Sequence, residues 1–350
     1  MSRTDPLAEI RSLIPQRALT LAEISTVAGS LIAPAVPDAA KIDFLCAWSE
    51  RGETAAELAG CAEVFLPLAR DPGLRGAWQG RALLDCSGTG GGGLNLVNIS
   101  TGIMFILAAL DVPVVKHGNR GLTKKSGSAD VLEALGIKID LPPGRNVACL
   151  EEVGCVFLFA PFYHPSFAAV AAARRQLGAE GKRTVFNLLG PLLNPARPDA
   201  RLVGVFRDEH VRLYDDTLRA MNCPRYVVAC GEDRATGKKL GEVSADGRTL
   251  VRGSIFPSEE YLSRRRPESD EKSESLLVHD ATESARRLVA ILEGRESGLV
   301  RSMLLVNAGL AAWVQGAAAS LEEGTARSQE ALDSGRARER LERWRKFSQR

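Results

Sequence analysis

One stretch constrains the chain more than any other: Asp85-Cys86-Ser87-Gly88-Thr89-Gly90-Gly91-Gly92-Gly93. It follows the apolar Leu83 and Leu84 and leads through Asn95, Asn98, Ser100 and Thr101 into an apolar run from Ile103 to Leu110. That order reads as strand, glycine loop, helix. Glycines let a backbone approach a ligand closely and adopt positive φ without strain. Unpaired N–H groups at the start of a following helix attract anions, so phosphate is the natural guest. The same glycines also suit a flexible surface turn. GTGGGG satisfies GxGxxG only as a run of glycines, a weak signal for a Rossmann dinucleotide site, and it is not GxxxxGK[ST], which argues against a P-loop.

A second stretch makes the phosphate reading sharper. Lys116-His117-Gly118-Asn119-Arg120 follows the apolar run 112–115, and Lys124, Lys125, Ser126, Gly127, Ser128 and Asp130 come next. Cations, small hydroxyls and glycine thus gather at the end of another strand. In open α/β sheets ligands sit at the carboxyl ends of the strands. Two such loops facing one crevice would form a polyphosphate pocket.

From Leu83 onward, short apolar segments alternate with helical ones. Strands are predicted at 112–115, 156–159, 202–206 and 226–230, and helices at 129–135, 165–177 and 210–221. This alternation argues an α/β sheet domain. The earlier part reads as helices. Thr20 with Glu23 makes a capping box, and Ile24, Val27, Ala28, Leu31 and Ile32 repeat at helical spacing. Pro34 and Pro37 end that helix. A second is expected from Asp38 to about Arg51, and a third from near Thr54. Residues 263–275 read as a solvated excursion, and the segment after 319 as one charged helix covering the sheet. The arginines of 336–350 are expected to solvate a helix face. Glu339 and Glu342 interrupt that run, which argues against a nucleic-acid role.

Composition bounds the rest. With 350 residues the chain can form two domains, and a net charge of +2 gives no argument for a nucleic-acid or membrane partner. Seven cysteines without a CxxC pair fit reduced thiols in a cytoplasmic protein and argue against zinc. No signal pattern or apolar run of about 18 residues is present.

The motifs GTGG, NIST, KHGNR, KSGSADVLEALG, APFYHP and RTVFNLLGPLLNP, in that order, resemble the signatures of the anthranilate phosphoribosyltransferase family. The resemblance extends over about residues 18–342. It implies a small N-terminal helical domain (1–78, with part of 170–200) and a larger α/β domain (79–350). The larger domain would have a mixed central sheet flanked by helices, as in the nucleoside phosphorylase and phosphoribosyltransferase class. It further implies transfer of the ribosyl 5-phosphate of phosphoribosyl pyrophosphate (PRPP) to the amine of anthranilate, in a homodimer with Mg2+.

On this resemblance Gly88, Gly91, Gly92, Asn98, Ile99, Ser100, Thr101, Lys116, Lys124 and Ser128 would line the PRPP site. Gly88, His117, Asn119 and Arg174 would meet the acceptor, with Arg174 on its carboxylate. Ser100 and Glu242 would hold the metal. Asn187, Pro191, Asn194 and Pro195 would shape a rigid loop over the acceptor. No general base is assigned.

The chain departs from the family at several of these places. Gly92 replaces the aspartate of GTGGD, Leu96 a threonine, Gly241 the first acid of an Asp-Glu metal pair, and Lys124 a serine. A short insertion falls at 179–182. The local charge moves towards positive, which leaves three expectations open: anthranilate transfer with altered metal dependence, PRPP-dependent transfer to another aromatic acceptor, or a paralogue that binds ligand or nucleic acid without catalysis.

Overall fold

A computed structural model describes residues 6–90, 94–121, 126–264 and 273–350. Its centre is one seven-stranded sheet. In chain order the strands are β1 (Leu84–Gly88), β2 (Val114–Gly118), β3 (Cys155–Phe159), β4 (Ala200–Gly204), β5 (Arg225–Gly231), β6 (Gly247–Gly253) and β7 (Phe256–Arg264). Their spatial order is β3-β2-β1-β4-β5-β6-β7. The first five run parallel, and β6 and β7 add an antiparallel hairpin at one edge. β1 pairs with β2 on one side and β4 on the other, with Leu84 opposite both Val114 and Ala200. The chain order therefore reverses at β1, and the carboxyl end of that strand is where such sheets bind ligands.

The parallel strands are short and buried on both faces, as parallel sheets require. One apolar cluster joins Leu84, Val114, Val115 and Val156 to the helices Ile99–Ala109 and Leu299–Gln315. A second joins Ile24, Val27, Phe44, Leu58 and Phe65 to Val185, Phe186 and Leu189, and on to Val203, Val205, Tyr226 and Val228 of the sheet.

The predicted cap at Thr20 forms, and the third helix starts at Thr54 with a second, unpredicted capping box. Thr20 accepts from Glu23 N while Glu23 reaches back, and Thr54 and Glu57 repeat the arrangement. The second helix spans Asp38–Arg51 and closes on Gly52.

Three expectations are corrected. The edge hairpin β6–β7 was not foreseen, and the end of β7 takes in Ser263 and Arg264, where a solvated excursion was expected; residues 265–272 lie outside the described residues. The charged C-terminal segment is two helices, Leu321–Asp333 and Arg336–Gln349, separated at Gly335, whose φ of +79° suits glycine. The arginines of the last helix do more than face water. Arg336 donates to Ala109 O (3.4 Å), Arg340 to Val153 O (3.4 Å) and Arg345 to Leu135 O (2.6 Å). Those carbonyls lie at the ends of three other helices, where a cation is favourable.

Candidate active site at the ends of the parallel strands

The Gly-rich loop leaves β1 at Gly88, where an added Cβ would lie 3.2 Å from Gly204 O. Thr89 N donates to that same carbonyl (3.0 Å), and Gly90 takes a φ of +64°. Gly91, Gly92 and Lys124 fall outside the described residues. Asn98 caps the helix Ile99–Ala109 by accepting from Thr101 N (3.0 Å). The approach to that helix is pinned from the far side: Val97 N donates to Leu276 O (2.8 Å) and Asn95 Nδ2 to Val278 O (2.6 Å). The Ile99 side chain is buried in the core, so only its backbone faces the loop. Thr101 is fully buried, and its hydroxyl has no partner.

Lys116 joins the two predicted loops. Its Nζ donates to Cys86 O (2.5 Å) within β1 and to Ser100 Oγ (3.1 Å) in the helix's first turn. It is 2% exposed. Burial pushes its pKa down, and the neighbouring Asp85 carboxylate opposes that shift. Asp85 is itself fully buried, so desolvation raises its pKa against the pull of Lys116 and Arg201. One of its oxygens has no hydrogen-bond partner. Among the described residues its hydrogen bonds go to neutral oxygens: those of Lys116 meet Cys86 O and Ser100 Oγ, while the carboxylates of Asp85 and Glu242 act on it through space.

The loop after β2 folds back tightly. Asp130 accepts from Gly121 N (2.8 Å) and Gly127 N (3.1 Å), and Ser128 Oγ donates to Asn119 O (3.4 Å). A Cβ at Gly118 would stand 2.2 Å from Ser128 Oγ. Asn119 Oδ1 accepts from Arg120 N (2.7 Å).

A chain of rings leads from there to Arg174. His117 and His164 meet edge-on at 5.2 Å, His164 stacks on Phe167 at 5.2 Å, and Phe167 meets Phe186 at 5.3 Å. The Arg174 guanidinium lies 5.0 Å over Phe186. Burial lowers the Arg174 pKa, and no carboxylate among the described residues offsets this. His117 is held neutral: burial, with His164 beside it, lowers its pKa to about 3. Its Nδ1 faces Gly190 O at 3.3 Å, and its Nε2 is buried without a partner. The predicted rigid loop is held from β2 and β4. Asn194 Nδ2 donates to Val115 O (2.8 Å), and the buried Arg201 donates to Pro191 O (2.6 Å). Arg201 was missed in the sequence, where a lone arginine inside a strand gives no signal.

Glu242 arrives beside Ser100. Both line a narrow cavity with Cys86, Ser87, Gly204, Val243 and Asn307. Glu242 also acts electrostatically on Lys116. Among the described residues no group of three or more His, Cys, Asp and Glu could hold a metal. Magnesium does not need one, because it keeps several waters and takes one or two carboxylates plus substrate phosphates. Glu242, Ser100 and the buried, unpartnered Ser87 hydroxyl make an all-oxygen donor set that fits it. Ser87 was not singled out in the sequence. Gly241 supplies no carboxylate. Its φ is +72°, and an added Cβ would lie 2.3 Å from the Phe206 ring.

Comparison with known proteins places the chain in a family. Residues 80–338 match the glycosyl transferase family a/b domain. The anthranilate phosphoribosyltransferase of Natronomonas pharaonis is 37% identical over 343 residues, covering 97% of this chain and 98% of its own. That of Anaeromyxobacter dehalogenans is 38% identical over 341 residues, covering 95% of each chain. The Thermus thermophilus enzyme structure superposes with a TM-score of 0.86 at 35% identity, over 99% of this chain and 100% of its own. The Saccharomyces cerevisiae enzyme in complex with PRPP and Mg shares the fold (TM-score 0.81, 22% identity, 97% and 96% covered). On this identity and coverage, the chain belongs to the anthranilate phosphoribosyltransferase family.

Proposed function

We propose that this chain transfers the 5-phosphoribosyl group of PRPP to the amine of anthranilate, the step that serves tryptophan biosynthesis. The bond from the ribose anomeric carbon to pyrophosphate breaks, a carbon–nitrogen bond forms, and the amine releases one proton. The observation that carries this reading is Lys116, whose buried ammonium bridges β1 and the start of the following helix.

Negative charge grows on the departing pyrophosphate while the sugar becomes cationic. Catalysis then rests on positioning and neutralisation rather than on a strong base. Lys116 and the N–H groups at the start of Ile99–Ala109 serve the phosphates, together with the glycines of the loop, Asn98, Ser100 and Ser128. Because Lys116 is desolvated, each interaction it makes with an anion is stronger than in water. Arg174 serves the acceptor carboxylate, since a guanidinium matches it in a bidentate way. Its contact over the Phe186 ring holds it in place. His117 and Asn119 flank the amine, and His117 does so as a neutral imidazole. Magnesium, held by Glu242 and Ser100, would neutralise pyrophosphate when bound. With Gly241 in place of an acid, we expect a weaker metal requirement. Gly91, Gly92 and Lys124 belong to the same phosphate site on the motif resemblance.

We further propose a cytoplasmic homodimer. All seven cysteines are free, and Leu21 and Leu68 are apolar residues about half exposed on the helical part (46% and 48%). Light scattering on the purified protein tests the dimer. The activity is tested by loss of anthranilate fluorescence with PRPP across a magnesium titration. Consumption that saturates in both substrates is expected, and none at any magnesium concentration would overturn the reading.

A further inference from the structure

The segment that carries Glu242 is not part of the sheet ladder, yet it is fixed on every side. Leu240 N donates to Gly231 O (2.9 Å) upstream. Downstream, successive backbone N–H groups each meet a side chain. Val243 N donates to Asn307 Oδ1 (2.9 Å), Ser244 N to Thr249 Oγ1 (2.9 Å) and Ala245 N to Met303 Sδ (3.2 Å). Buried backbone groups need partners, and here no ladder supplies them.

Asn307 differs from the other two. It is fully buried in the helix Leu299–Gln315, and its carboxamide grips both polar groups of one residue. Oδ1 accepts from Val243 N, while Nδ2 donates to Val243 O (2.9 Å) and to Met303 O (2.8 Å). Val243 follows Glu242 directly. The opposite side is closed by backbone contact: a Cβ at Gly204 would stand 1.9 Å from Gly241 O, and one at Gly231 would stand 2.0 Å from Glu242 O. The segment therefore lies flush on the ends of β4 and β5, with Asn307 holding it there. The same amide lines the cavity that Glu242 shares with Ser100 and Ser87.

We propose that Asn307 is a positioning residue for the Glu242 carboxylate, and that through Val243 it sets the affinity of the site for a divalent cation bound with PRPP. The inference rests on the proposed reading of Glu242 as a cation ligand. Loss of a group that orients a metal ligand typically weakens metal affinity about 10–100-fold.

The test is Mn2+ binding to the full chain in the presence of PRPP, read from the electron paramagnetic resonance signal of free Mn2+, for wild type, Asn307→Ala and Glu242→Gln. Wild type is expected to bind, and Asn307→Ala to bind at least about tenfold more weakly. Its KM for anthranilate should change less than about twofold, and excess metal should restore its rate. A folded Asn307→Ala with wild-type Mn2+ affinity overturns the proposal. So does one whose metal affinity and anthranilate KM worsen together. If that variant does not fold, Asn307→Asp carries the same test, because it keeps the shape and the acceptor for Val243 N while losing the donation to Val243 O. It must show the selective Mn2+ defect, and an unaltered affinity overturns the proposal. Failure of the activity reading looks different: wild type would then consume no anthranilate, whereas Mn2+ binding and its dependence on Asn307 would still be measurable.

Discussion

Two regions of this molecule are rich in cations and use them in opposite ways. In the last helix every arginine from 336 to 350 has a carboxylate nearby: Arg336 pairs with Glu330, Arg338 with Glu293, Arg340 with Asp111, Arg343 with Glu339, Arg345 with Glu342 and Arg350 with Glu152. Three of them also donate to carbonyls at the ends of other helices. At the strand ends, Lys116 meets two neutral oxygens and Arg174 meets a ring. Burial lowers the pKa of both. A buried cation that no carboxylate bonds directly is incompletely compensated for its lost hydration, and an arriving anionic ligand offsets that cost. A cluster of basic residues therefore says little until its partners are known. The tail arginines are committed to carboxylates, whereas Lys116 and Arg174 bond none among the described residues, as the proposed anion-binding role requires.

The most severe break of this comparison is Lys116→Met. It should lower kcat/KM for PRPP by about 10²–10³, the scale of losing one preorganised donor to developing charge. A steady-state titration of PRPP reads this, and retention of activity within threefold would place Lys116 with the structural cations. Arg174→Ala comes next. The acceptor KM should rise about 10–100-fold, as for a lost charge-assisted bond of about 1.5–3 kcal/mol, with PRPP binding spared. Equal loss for both substrates contradicts the assignment.

His117 sharpens the contrast through pH. Its folded pKa of about 3 lies below the ordinary 6.5, so from pH 6.5 downward the unfolded chain binds a proton that the folded chain refuses. Stability should therefore fall with acidification in that window, with a slope of up to about 1.4 kcal/mol per pH unit from this group alone. His117→Phe should flatten urea-melt stabilities between pH 6.5 and 5, and an identical slope would show that the imidazole is not held neutral. The smallest effect belongs to the tail. Arg345→Ala should lower Tm by about 2 °C and leave both KM values alone, which differential scanning calorimetry and kinetics check together.

Much of this was legible because it is local. The capping box at Thr20, a helix from Asp38 to Arg51 and a helix start near Thr54 depend on residues a few positions apart. Lys116 and the Gly-rich loop stood at the ends of apolar runs, and the parallel sheet then had to bring them together. The β6–β7 hairpin escaped notice because edge strands carry charge and proline, and Pro257, Glu259 and Glu260 hide its apolar alternation. The break at Gly335 was visible as a glycine and was passed over amid the charge. Asn307 looked like one polar residue in an apolar helix run. Its significance lies in Val243, 64 positions away, and no short-range pattern carries that separation. The tail arginines were misjudged for the same reason, since their acceptors belong to helices far back in the chain.

Phe206 has a consequence for how this lineage can change. Its ring occupies the space that any side chain at position 241 would need, and the backbone there is left-handed as well. An acid introduced at 241 alone would meet a steric barrier before it could meet a cation. A smaller residue at 206 would remove the first obstacle and leave the second, so a second carboxylate at this position has two separate costs, one from packing and one from the backbone.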